Sequence, residues 1–135
     1  MRTVHRLLSG LVALLLGAGL VAVAPAAQAE QAERQITING KEPKENKFLI
    51  KGKISPSTGE RVNALVEFKL CKKDTNCKAE WKKFSAITTN AKGRYTERVQ
   101  GPKKGYKRVY YRVSTRENDK FLAAVSPEIY IYRIF

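Results

Sequence analysis

The chain has 135 residues, with 26 lysines and arginines against 12 acids, one histidine and two cysteines, and a formal charge of +14. That length fits one modest core with little room for a second, and so few histidines and cysteines leave little for imidazole, thiol or metal chemistry. A charge so far from zero keeps copies apart in solution and attracts polyanions, without bearing on fold.

Residues 1–29 have the pattern of an export signal. Arg2 and Arg6 form a basic head, residues 7–24 are apolar throughout except Ser9, and residues 25–29 (Pro-Ala-Ala-Gln-Ala) end in the small residues that a signal peptidase reads. An uncleaved anchor is the rival reading, because the 18 residues of the apolar run are just long enough to span a bilayer. Against it, a proline and an Ala-x-Ala site follow where an anchor would meet a charged flank. Cleavage after Ala29 would remove His5, the lone histidine, and leave 106 residues carrying 24 bases and 12 acids, a charge of +12. The expected product is secreted, with no membrane span, either free outside the cell or held to the envelope by charge.

After the cut, residues 30–46 are expected to form a flexible segment. Residues 30–34 are polar, residues 35–38 (Gln-Ile-Thr-Ile) suggest a short strand, Asn39-Gly40 is a turn signal, and residues 41–47 read as a charged linker containing Pro43. The folded domain is then residues 47–135. Its first strand, 47–54, is stopped by Ser-Pro-Ser-Thr-Gly at 55–59. The next, 62–71, places Val62, Ala64, Val66, Phe68 and Leu70 on one face and Asn63, Glu67 and Lys69 on the other.

A third strand, 79–89, has Trp81 and Phe84 three apart, so a bulge or twist is needed if both are to point inward. The turn at 90–93 leads to a strand at 94–99, and the turn at 101–105 to one at 106–115. In the latter, Val109, Tyr111 and Val113 share a face opposite Tyr110 and Arg112. A polar loop at 116–120 precedes the last strand, 126–133, which alternates Ile129 and Ile131 with Tyr130 and Tyr132. No window holds a helical apolar stripe. Six or seven short strands at this spacing imply an all-β protein, a single antiparallel β-sandwich in which each sheet buries one face.

Cys71 and Cys77 flank a five-residue polar loop, the arrangement of a disulfide closing a hairpin in an oxidising compartment. So small a ring is worth about 2 kcal/mol on the chain-entropy model. A metal site needs further soft ligands, and a redox site would favour Cys-x-x-Cys spacing; the mature chain has neither.

The body at residues 48–134 carries Phe48-x-x-x-Gly52-x-x-Ser55-Pro56, Val62-x-x-x-Val66, Trp81-Lys82, Thr88-Thr89-x-x-x-Gly93-x-Tyr95, Tyr111-Arg112-Val113 and Ser126-Pro127. In this order the landmarks resemble a family of small immunoglobulin-like or fibronectin-like β-sandwich domains of exported actinobacterial proteins. The resemblance implies that Gly52 and Gly93 allow bends, that Trp81 fills the space between sheets, and that Ser126-Pro127 starts the final strand. It implies spacer, adhesion or binding roles and brings no catalytic residues. Two features depart from the pattern: the cysteine pair, and Glu97, which stands between Tyr95 and Val99 where an apolar inward residue belongs. Burying that carboxylate unpaired is expensive, so the strand must bulge or a lysine or arginine must reach it.

Catalysis near neutral pH needs a proton-moving group or an activated nucleophile. With no mature histidine or free thiol, no defensible carboxylate dyad, and serines (Ser55, Ser57, Ser85, Ser114, Ser126) mostly at turns or strand ends, no catalytic residues, metal or cofactor are expected. Binding is the alternative. If the last two long strands are neighbours, Tyr110, Arg112, Tyr130 and Tyr132 share one wet face, where rings beside cations suit sugars or bases carrying anionic groups. Cross-strand packing accounts for the same tyrosines without a ligand.

A basic hairpin cluster, Lys72, Lys73, Lys78, Lys82 and Lys83, and another of Lys103, Lys104, Lys107 and Arg108, suit a polyanion. Neither carries a signature of specific nucleic-acid recognition. The sequence thus leads to a monomeric, non-catalytic secreted binding module whose partner is an anionic envelope polymer or a protein. The alternative is a toxin-like effector or inhibitor that probes its target with the disulfide-closed residues 70–78.

Overall fold

The computed structural model describes residues 30–73 and 76–133, and the expected export signal lies outside them. Short β-branched and aromatic runs between turn residues favour strands, and the described residues contain nine strands and no helix. One antiparallel sheet contains β1 (Gln35–Ile36), β2 (Asn39–Lys44), β3 (Lys47–Ser55) and β6 (Arg94–Val99). The other contains β4 (Asn63–Cys71), β5 (Lys82–Thr88), β7 (Arg108–Thr115), β8 (Ala124–Val125) and β9 (Ile129–Tyr132).

Each sheet has one edge made of two short strands in succession. β1 and β2 both pair with β3 on the side away from β6, and β8 and β9 both pair with β7 on the side away from β4. Between β8 and β9, Pro127 cannot donate to a ladder. Ser126 bridges the break: its N–H donates to Val113 O and its Oγ accepts from Val113 N, each at 2.8 Å.

Period-two alternation puts one face of each sheet into a common core. From the first sheet come Ile36, Ile38, Ile50, Ile54, Tyr95 and Val99, and from the second Ala64, Val66, Val109, Tyr111 and Val113. The arrangement is sandwich-like and all-β. Strand β4 behaves as its alternation demands, with Val62, Phe68 and Leu70 packed partly buried around Ala64 and Val66.

Several expectations are corrected. Residues 39–44 form a strand, not a linker. The chain turns at Glu45-Asn46, where Asn46 takes φ +60° and its N–H donates to Glu42 Oε1, so β2 and β3 make a hairpin. Pro43 is tolerated because β2 is an edge strand with a register shift between Lys41 and Lys44. The ordered body also begins earlier than residue 47, since Ala32 exchanges backbone hydrogen bonds with Lys120 and Leu122, each at 2.9 Å.

The third long strand does contain a bulge, with Phe84 unpaired between Ser85 opposite Val66 and Lys83 opposite Glu67, but it does not bring both Trp81 and Phe84 inward. It turns Phe84 inward, edge-on to Phe68 at 6.0 Å and to Tyr111 at 5.4 Å. Trp81 does not fill the space between sheets. It lies outside, against Lys69 and Arg112, and the central core volume is taken by Tyr111.

Glu97 needs neither a bulge nor a cation, because β3 and β6 pair without interruption through Ile50 and Glu97. Its carboxylate accepts from Ser85 Oγ and from the Arg98 N–H, both at 3.0 Å. Gly52 serves close approach instead of a bend. A Cβ there would lie 1.9 Å from Thr37 O and 2.6 Å from Tyr95 Oη, and the Tyr95 hydroxyl donates to that carbonyl across the vacant space. Gly93 takes φ +79° in its turn, so the expectation of a bend holds there.

Candidate functional site

Register alone builds an aromatic and cationic ladder on the outer face of the second sheet. Tyr110 pairs with Tyr130, and Arg108 with Tyr132, across β7 and β9. Lys69 of β4 pairs with Tyr110, and Glu67 with Arg112. The rings and cations then interleave: Arg112 lies 4.3 Å and Lys69 4.8 Å from the centre of Trp81, and Lys69 lies 5.1 Å from that of Tyr110. Arg108 lies 4.2 Å from the centre of Tyr130 and donates to Tyr110 Oη at 3.2 Å. Tyr130 is 5.6 Å from Tyr110 and 6.2 Å from Tyr132, ring to ring.

The four residues expected on one wet face are therefore together, but they differ in what they can offer a ligand. Arg112 is engaged: its guanidinium is bonded to Glu67, which also accepts from Ser114 Oγ at 3.2 Å, and Trp81 lies over it. Tyr110 is half-buried between cations. Tyr130 and Tyr132 remain open, at 48% and 58% exposure. Sequence reasoning missed Trp81 and Lys69 as members of this face. The lone alternation signal for Lys69 was legible, whereas the outward swing of Trp81 follows from the bulge at Phe84.

The basic hairpin cluster is divided. Cys71 ends β4, and the Cys71–Cys77 disulfide, with Cα atoms 5.6 Å apart, ties the loop carrying exposed Lys72, Lys73 and Lys78 back to the strand. Lys82 and Lys83 stand on consecutive positions of β5, opposite Phe68 and Glu67, so they project to opposite faces.

Backbone bonds bring other basic segments together instead. The Lys107 N–H donates to Cys71 O at 3.0 Å, and the Arg133 N–H donates to Lys107 O at 3.1 Å. These bonds join three segments remote in sequence at one end of the sheet. The first segment carries Lys72 and Lys73, the second Lys103, Lys104, Lys107 and Arg108, and the third Arg133, which follows the open rings of Tyr130 and Tyr132 in sequence. Arg133 is also fixed by its Nη2, which donates to Pro102 O at 2.7 Å.

The inward tyrosines have a different chemistry. Burial raises the Tyr95 phenol well above its ordinary value and raises that of Tyr111, the latter opposed by its hydrogen bond with Gln100. Both hydroxyls are bonded to backbone. Among the described residues, no group of three or more His, Cys, Asp or Glu side chains is placed to hold a metal ion. Comparison of the chain with protein-family models, curated proteins and solved structures found no match.

Proposed function

We propose that this protein is a secreted, non-catalytic binding module that docks on anionic polymers of the cell envelope through the cationic end of its second sheet. The immunoglobulin-like assignment belongs to the same proposal. It is supported by the division of the chain into a sheet of first, second and fifth strand positions and a sheet of the third, fourth, sixth and last, counting each broken edge as one. The observation that carries the binding reading is the union of residues 72–73, 103–108 and 132–133 by the Cys71, Lys107 and Arg133 backbone bonds. The formal charge of +14 favours association with a polyanion.

Open tyrosines at the border of that surface add flat apolar area for sugar rings, and the nearby cations take phosphate or carboxylate. The test is retention of the purified mature protein on isolated envelope across a salt series. Retention is expected at low ionic strength and should fall steeply toward physiological salt as the charges are screened. Lys72→Glu with Lys73→Glu, Lys103→Glu and Lys104→Glu should cut retention at least tenfold without unfolding the protein. Failure of the parent protein to be retained at low salt would remove the envelope reading.

The Cys71–Cys77 disulfide supports a second reading, as an inhibitor or effector with a covalently closed probe. Reversal of Lys72 and Lys73 alone separates the two. It should abolish one-to-one binding to a protein target but only trim a diffuse affinity for polymer.

A further inference from the structure

Cations also collect where no run in the sequence marks them, on the outer face of the first sheet. Register sets Lys41, Leu49 and Arg98 in one row across β2, β3 and β6, Asn39, Lys51 and Thr96 in the next, and Lys53 beside Arg94 beyond them. Alternation turns these residues outward, because Ile50, Ile54, Tyr95 and Val99, which alternate with them, are buried in the core. Five of the eight positions are cations and none is an acid. Glu97, the acid of β6, lies on the inner side and is held by Ser85 Oγ. Glu42 and Glu45 stand toward the hairpin turn, where Lys44 and Lys47 pair beside them.

The second sheet treats its outward cations differently. There Lys69 and Arg112 are ion-paired with Glu128 and Glu67 and lie against Trp81. Among the described residues, Lys41, Lys51, Lys53, Arg94 and Arg98 make no ion pair, ring contact or side-chain hydrogen bond, and all five are exposed. No partner within the described chain uses their charge.

The layout of that charge selects the partner. With strands about 4.8 Å apart and a rise of about 3.4 Å per residue, the five cations cover about 10 Å across β2, β3 and β6 and about 14 Å along β6. Neighbours fall within the Debye length of about 10 Å at about 0.1 M salt, so they act together. A linear polyanion follows one line through such an array, whereas a planar layer of anionic headgroups meets all of it. None of the eight positions holds an aromatic ring on which a base could stack. Their one apolar side chain, Leu49, is half-buried, so the face is suited to lie on a bilayer and not to insert into it. We propose that the outer face of the first sheet is a membrane-docking surface that lies flat on the headgroups of an anionic phospholipid bilayer. Its residues are separate from those of the cationic end, and its partner is a lipid surface instead of a polymer.

The probe is a vesicle of equal parts phosphatidylglycerol and phosphatidylcholine, with pure phosphatidylcholine vesicles as the control. Co-sedimentation of the mature protein is measured at about 0.1 M salt, where surface charge is only partly screened. Binding is expected to the mixed vesicles alone. A cation near an anionic surface contributes roughly fivefold in partitioning, so Lys51→Gln with Lys53→Gln and Arg94→Gln should lower binding about a hundredfold. Lys41→Gln with Arg98→Gln should lower it about twenty-fivefold on the same scale. Lys83→Gln with Arg116→Gln and Lys120→Gln removes as much charge as the first variant, but from exposed positions on β5 and the loop after β7, and should lower binding less than fivefold. Unchanged denaturant midpoints check that each variant folds.

Equal losses in the two triple variants would reduce the effect to net charge and overturn the proposal. So would equal binding to pure phosphatidylcholine, or no binding to the mixed vesicles. A single-stranded oligonucleotide that binds more tightly than the vesicles at matched phosphate, and loses that binding in the Lys51 triple variant, would assign the face to nucleic acid and overturn it as well. Retention on lipid-free wall polymer is scored separately, with the Lys72, Lys73, Lys103 and Lys104 reversals, so failure of either reading leaves the other readable.

Discussion

On the inner side of β7, Tyr111 is 1% exposed and its hydroxyl is closed on Gln100, donating to the carbonyl at 2.7 Å and accepting from the N–H at 3.1 Å. One residue earlier and on the outer side, Tyr110 leans on Tyr130 and lies beside Lys69 and Arg108. The two tyrosines share a strand and a composition, yet they answer different demands. Inside, a ring is worth its buried area and must satisfy its hydroxyl. Outside, the same ring contributes little to stability and becomes a platform held among cations.

The difference predicts a graded set of effects. Tyr111→Ala should cost about 3–5 kcal/mol, the range for removing a buried aromatic side chain, measured as a lower denaturant midpoint with unchanged slope. Gly52→Ala comes next. The new methyl cannot coexist with Thr37 O and the Tyr95 hydroxyl, and the forced shift should cost about 1–3 kcal/mol, read by the same unfolding curves.

Alkaline pH probes the inner tyrosines together. Their folded values are raised by burial, so between the unfolded value near about 10 and the folded ones the native state holds protons that the unfolded chain releases. This stability is fully present below about pH 10 and is lost as the pH climbs, by up to about 1.4 kcal/mol per pH unit for each tyrosine. Tyr95→Phe should therefore flatten the decline between pH 10 and 12 in denaturant titrations.

The smallest effect belongs to the outer face: Tyr132→Ala should change stability by no more than about 0.5 kcal/mol while lowering envelope retention severalfold. A cost for Tyr132→Ala equal to that for Tyr111→Ala would erase the distinction between the two sides.

Much of this contrast is legible in the sequence because alternation is a local property. Val109, Tyr111 and Val113 against Tyr110 and Arg112, and Ile129 and Ile131 against Tyr130 and Tyr132, can be sorted by counting in twos, and the structure sorts them in the same way. Trp81 escapes such counting, because a single unpaired residue at Phe84 exchanges the faces of what precedes it. The charged residues 39–44 escape for another reason. Their strand is held by backbone bonds to β3, and every side chain on it is exposed, so no apolar pattern marks it.

By itself the sequence determined the all-β class, the inward face of the unbulged long strands and the cysteine pair, all properties written in neighbouring residues. The tertiary structure decided what depends on register between distant segments. It gathered Lys72, Lys107 and Arg133 at one end, gave Arg112 to Glu67 and Trp81, and matched Glu97 with Ser85. Periodicity fixes which way a side chain points relative to its own strand. Only hydrogen-bonded pairing and packing between sheets fix which residues it meets.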